Sequence, residues 1–383
     1  MMTETQWPLL HRNTQGLAEA RDPNTRARFL ADRVGLLARH GFASHAIALL
    51  PQARDAVLEL DDGEAFVRLA ISESIASHYS PGMVGSLDIF DTALEAAREH
   101  CMPELEAEAS VWAAAIYRRA LGIASVGAIE QLRFALVHAG AQCETTLPRA
   151  LYMTGNSFSV AGLRDDAPLF YRNAMRLARR AEDLQLCDAI ATYPLLVELN
   201  EARAAHAAGS LSDAVAGQLE EQLRVAAGQL SYTAKRAQIH LHLAEALRLR
   251  GRYAEAARLL TLYLPQGQTE GRYEAELLVS RSDLAVCMLH LRDARAASQE
   301  RNDLHNALSS QMPSYARAAL LTNLAELEKL HGRPEAASRL ATRAADAWGQ
   351  RERDNADFRA ALESSDLHSC WAATPRLFMV SRQ

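Results

Sequence analysis

Catalysis and metal binding need particular residue types at particular spacings, and the candidates in this chain miss those spacings. Glu73 and His78 stand five residues apart and His240 and His242 two apart, so neither pair shares a helical face as metal ligands would. His100 adjoins Cys101 and His368 lies near Cys370, but adjacency in sequence supplies neither a nucleophile with its base nor a ligand set. The five cysteines form no CxxC pair, and an odd count fits poorly with a disulfide framework, so they read as reduced, small apolar groups. Ser72, Ser74, Ser77, His78, Tyr79 and Ser80 place hydroxyls beside an imidazole. With no GxSxG, HExxH or P-loop segment in the chain, that run reads as a solvated helix end. The expectation is a protein that is not an enzyme, with no catalytic residue, no metal and no cofactor.

What remains is binding, and the elements that would position a binding face are announced by a period. Glycines stand at Gly41, Gly82, Gly122, Gly162, Gly209, Gly251 and Gly332, with Arg292 in the corresponding place between the last two; the intervals are 41, 40, 40, 47, 42, 41 and 40 residues. A constant interval of this size marks a stack of small repeated units with one continuous core. The 383 residues are 49% hydrophobic and only 6% aromatic, so Ala and Leu fill the core, which is helix chemistry. A net charge of -6 argues against generic nucleic-acid binding. Lysine is confined to Lys235 and Lys329, and the arginines that make up the rest of the 41 basic residues are dispersed. No charged-then-apolar leader and no apolar run of about 18 residues is present, so a cytoplasmic location is expected.

Each unit reads as helix, turn, helix. In the first, Phe29, Leu30, Val34, Leu37 and Ala38 recur at helical spacing before Gly41. Pro23, Pro103, Pro148, Pro194 and Pro313 mark first turns of first helices, and Pro168 and Pro334 first turns of second helices. Pro81 falls in a turn, Pro265 is expected at a helix end, and Pro51 is expected to kink or break its helix. Small residues recur seven positions before the marker (Ala115, Gly155, Ala202, Ala244, Ala285, Ala325) and five after it (Ala46, Ala167, Ala214, Ala256, Ala297, Ala337), which permits close helix crossing.

This constellation resembles the tetratricopeptide repeat, most closely in His242–Leu247 with Gly251–Ala256, then in Leu324-Ala325 with Gly332–Ala336 and in Gly155-Asn156 with Gly162–Ala167. The period of about 40 is similar to that of the longer-helix members among bacterial signalling regulators and peptide-pheromone receptors, with HEAT and armadillo repeats as a minor alternative. The fold class expected is all-α, a right-handed α-solenoid of about eight such units. Residues 1–23 would be a lead-in, 24–348 the array, and 349–383 a capping helix and tail, with any output domain in another chain or trimmed away from this one.

The resemblance implies a concave groove lined by first helices, with contacts about ten, six and three residues before each marker. Those positions give Tyr79, Trp112, Arg119, Tyr152, Asn156, Arg203, His206, Glu245 and Arg248. Asn156 takes the place where peptide-binding members carry an amide for the ligand backbone, and the arginines suit carboxylates or phosphates. Asn156 and Arg203 are expected to be exposed, so that Ala there weakens binding without lowering stability. The function implied is a non-enzymatic scaffold for a protein or extended peptide, an acidic one suiting the arginines, with no nucleic acid and no membrane; a homodimer is a further option. The alternative is the ligand-sensing module of a bacterial signalling or transcription regulator, and a third reading is an enzyme accessory subunit held by its convex face.

Overall fold

The computed structural model describes residues 7–79, 87–120, 126–139, 144–230, 233–269, 274–308 and 312–372. Among the described residues the only regular elements are helices. A short α1 (Pro8–Glu19) precedes pairs that flank the markers. They are α2 (Pro23–Arg39) with α3 (Ala43–Leu58), α4 (Gly63–Tyr79) with α5 (Leu87–Glu99), α6 (Pro103–Ala120) with α7 (Val126–His138), and α8 (Thr146–Val160) with α9 (Ala167–Arg180). Then come α10 (Leu184–Ala207) with α11 (Asp213–Gln229), α12 (Thr233–Leu249) with α13 (Tyr253–Thr269), α14 (Glu274–His290) with α15 (Ala294–Ala307), and α16 (Ser314–Leu330) with α17 (Pro334–Ser364). A short α18 (Leu367–Ala372) follows. Gly82, Gly122 and Pro81 lie outside the described residues. Among the described residues no helix is long and apolar enough to cross a membrane.

The described markers recur because their first helices end in the same way. Backbone φ is positive at Gly41 (90°), Gly162 (75°), Gly209 (70°), Gly251 (74°), Arg292 (69°) and Gly332 (73°). In each case the next N–H donates to the carbonyl five residues back, as Phe42 to Leu37 (2.9 Å), Arg252 to Leu247 (2.9 Å) and Asp293 to Met288 (2.9 Å). This left-handed closure satisfies the last carbonyls of the helix and favours glycine, which has no Cβ to clash. Arg292 adopts it at a steric cost. Arg292→Gly should therefore stabilise the protein by about 1 kcal/mol, read as a raised urea midpoint at unchanged slope; a lowered midpoint would mean that the arginine side chain contributes more than its backbone costs.

Several local expectations give way to packing. Pro51, Pro194 and Pro265 all sit inside helices that run on, so in none of the three does the lost backbone bond end the helix. In the fifth pair the buried small residue is Ala216, at 3% exposure, while Ala214 is exposed. The turn there is longer, with Ser212 Oγ accepting from Val215 N (3.3 Å) at the start of α11. The serines of α4 are not a solvated end: Ser72, Ser74 and Ser77 are buried. A Cβ on Gly35 would lie 2.9 Å from Ser72 Oγ, so these small residues let α2 and α4 cross closely.

Two compact units divide the chain, one comprising residues 1–190 and 357–383, the other 191–356. In the first, α2 packs on α4, α4 on α6 and α6 on α8. Trp7 and Leu10 close one end of its core, and Arg12 Nη2 donates to Ala181 O (2.6 Å). The second joins two apolar clusters. Leu219, Leu223, Ile239, Leu247 and Leu260 belong to one, and Leu320, Leu324, Leu327, Leu340 and Trp348 to the other. Each such side chain contributes about 1.5–3 kcal/mol on burial. The boundary placed at residue 348 is not a break, since α17 continues to Ser364. Phe358, Leu362 and Leu367 are buried, α18 packs on α7, and Asp366 pairs with Arg133 at 2.6 Å within the first unit.

Candidate functional site

First helices pack directly on first helices, and this changes what the anticipated groove positions are. Trp112, Tyr152, Asn156, Arg203, Glu245 and Arg248 are all less than a tenth exposed, and Asn156 is fully enclosed. The face ten and six residues before each marker is a helix–helix contact, drawn tighter by the small residues at the crossing. Asn156 and Arg203 are therefore buried rather than exposed, and their removal would disturb packing. Tyr79 and His206 are half-buried, and Arg119 lies outside the residues whose side chains are described.

In the first unit Tyr79 meets Trp112 edge-on at 6.3 Å between ring centroids. Tyr171 Oη donates to Asn156 Oδ1 (3.0 Å), and its ring lies 6.5 Å from that of Tyr152. Gly155 permits this, because a Cβ there would come within 3.0 Å of Tyr171. The residue in the place of a ligand-binding amide thus has an internal partner.

In the second unit Arg203, Glu245 and Arg248 converge around a residue that sequence reasoning missed. Asp283, with no exposure, binds Arg203 through both guanidinium Nη atoms, takes Arg248 Nε at 2.6 Å, and accepts from Asn323 Nδ2 at 2.9 Å. Glu245 takes Arg203 Nη2 at 3.2 Å and Ser280 Oγ at 2.9 Å. Burial alone would lower the pKa of Arg203, but Asp283 and Glu245 hold it above the ordinary value. Arg248 continues outward to Glu326 (3.2 Å), which also meets His290 Nε2 (3.1 Å). His206 is held below its ordinary pKa by burial and by Arg248.

The signal for the missed residues lies one position over from the row that was projected. Nine residues before the marker stand Asn200, His242, Asp283 and Asn323, on four successive first helices. All four are buried. Three of them carry a buried polar atom without a partner among the described residues, namely Asn200 Oδ1, His242 Nε2 and Asn323 Oδ1.

Among solved structures, this chain is similar to one of a Rap protein complexed with competence and sporulation factor. The identity is 13%, the match covers 87% of this chain and 100% of that chain, and the TM-score is 0.54. The chain has a tetratricopeptide-like helical-repeat fold, of the all-α solenoid class. No family model matches it, and no curated protein matches it in sequence.

With that fold, the row nine residues before the marker has a chemical meaning. Unsatisfied polar atoms in a protein interior cost roughly 1–3 kcal/mol each, so a set of them at the same position on three of four successive first helices calls for a reason. Two are amide oxygens that accept, the third is an imidazole nitrogen that accepts or donates with its tautomer, and Arg203 Nε beside them is a buried donor without a partner. Donors and acceptors together are what a peptide backbone complements.

Proposed function

We propose that the protein is a non-enzymatic sensor of the bacterial cytoplasm, which takes an extended peptide along the first helices α10, α12, α14 and α16. The observation that carries this is the row of buried, partnerless polar atoms at Asn200, His242 and Asn323. Packed helices lie about 8–10 Å apart, a distance an extended chain spans in about three residues at ~3.3 Å each. One contact per repeat is the register such a ligand would keep. The complex of the Rap protein with competence and sporulation factor is a precedent for ligand binding on this fold.

Burial of the row favours sensing over rigid docking. At 0–6% exposure the groups are reached only if the first helices separate, so that binding is itself a change of shape. Asn200 provides the test, because its side chain makes no hydrogen bond among the described residues and its loss should not unfold the protein. Peptides would be selected from a display library on the full chain, and their affinity compared for wild type and Asn200→Ala. The expected result is binding weakened at least ~10-fold, the worth of one buried hydrogen bond, with the melting temperature equal or higher. Selection of no peptide, or equal affinity for the variant, would sink the reading.

A further inference from the structure

A second cluster, in the first compact unit, has the opposite electrostatic character. Arg149 of α8 and Arg39 of α2 are 6% and 5% exposed, and both approach the same oxygen, Asp183 Oδ2, at 3.4 Å. Charge-assisted pairs close to about 2.7–2.9 Å when one cation has one carboxylate to itself. Here the carboxylate is divided, and its other oxygen accepts from Leu186 N (3.0 Å) to cap α10. The fourth member is His40, which burial, aided by Arg39, pushes down to about 4 and so keeps neutral at pH 7. Two guanidiniums and one carboxylate leave a buried excess of one positive charge.

The donors of that excess are not used up. Arg149 Nη2 reaches Gln185 Oε1 at 3.3 Å, and its Nε and Nη1 meet no acceptor among the described residues. Arg39 Nε is buried without a partner. Burial and the neighbouring Arg39 hold Arg149 below its ordinary pKa despite Asp183, as expected for a cation short of countercharge. The Arg149 guanidinium lies 4.4 Å from the centroid of the Trp112 ring, which fixes its plane. Tyr79, half-buried, meets the same ring edge-on at 6.3 Å between centroids and acts electrostatically on Arg149.

We propose that Arg149 and Arg39, on the Trp112 platform, form a binding site for an oxyanion, a carboxylate or a phosphate group. A guanidinium fork matches either bidentately, and one negative charge brings the cluster to neutrality. The site is independent of the polar row in the second unit, so the failure of either leaves the other standing.

The test is tryptophan fluorescence of the full chain at pH 7.5, titrated with inorganic phosphate and, separately, with N-acetylglycine, chloride being varied to hold ionic strength constant. A saturable change is expected with at least one probe, absent in Trp112→Phe and reduced at least ~5-fold in affinity by Arg149→Lys, which keeps the charge but not the fork. Arg149→Gln should abolish it, and Arg250→Gln, a change at a more exposed arginine, should leave it intact. Saturation by phosphate alone would assign the site to a phosphorylated ligand, and by the carboxylate alone to a peptide terminus or acidic side chain. No saturation by either probe, or unchanged affinity in Arg149→Lys, overturns the proposal. If Arg149→Gln does not fold, the lysine and Trp112→Phe variants still decide it.

Discussion

Replacing Asp283 with Ala should destabilise the second compact unit by about 3–5 kcal/mol, the cost of leaving a buried guanidinium without its carboxylate. Asp283 binds Arg203, Arg248 and Asn323 with no exposure to water, so its removal leaves two buried cations with one carboxylate each, Glu245 for Arg203 and Glu326 for Arg248, and takes an acceptor from the Asn323 amide. Water cannot replace it without opening the contact of α14 with α12 and α16. Urea unfolding followed by circular dichroism measures the effect, and the reference is Arg359→Ala. Arg359 pairs with Glu363 at 2.9 Å, but both are about half exposed, and such pairs are worth at most about 1 kcal/mol. A loss at Asp283 no larger than at Arg359 would mean that solvent reaches the cluster and that its burial has been misjudged.

The same cluster shows what was legible in the sequence. Repeat spacing located the turns, because one backbone solution, a left-handed residue closing the first helix, recurs at every marker among the described residues. Even Arg292 was placed correctly by interval alone, since the period constrains the backbone whatever the side chain. The binding face was not legible in the same way. Glycine reports a local conformation, whereas the exposure of Asn156 or Arg203 depends on how near the next first helix lies. That distance is set in part by small residues such as Gly35, where a Cβ would lie 2.9 Å from Ser72 Oγ on the next first helix, residues whose significance is what they leave out. Small residues at the crossings were read as helix-pair packing within a repeat; they also bring successive repeats together and bury the row beside them. The row nine residues before the marker, Asn200 to Asn323, was visible as polar residues on four consecutive helices, but was passed over for one that the resemblance supplied. Asp183 and Arg149 were harder still, since they meet Arg39 across more than a hundred residues.

Acid should test that long-range cluster through His40. Its ring lies 4.9 Å from Trp7, its Nδ1 is 2.7 Å from Leu36 O, and Arg39, Arg149 and Asp183 face it. Burial first, then Arg39, depress its pKa to about 4, against about 6.5 in an unfolded chain. Between those values the unfolded chain binds a proton that the folded one excludes, so the contribution of His40 is complete above pH 6.5 and is lost as pH falls toward 4. The loss amounts to about 2 kcal/mol by pH 5 and about 3 kcal/mol by pH 4. Asp183 titrates lower. Burial would raise its pKa, but Arg39 and Arg149 outweigh that and hold it below the usual carboxylate range, so its contribution stands above about pH 4 and disappears only below it. Urea midpoints of wild type and His40→Phe at pH 7, 6 and 5 separate the two groups. Phe keeps the ring against Trp7 and removes the proton, so the variant starts lower at pH 7 by the lost bond to Leu36, about 1 kcal/mol, and then declines less steeply. Titration of His206 and the other histidines is common to both proteins and cancels in the difference. Parallel declines would mean that His40 is protonated without penalty in the folded state, and hence that the corner holding Arg39, Arg149 and Asp183 is open to water.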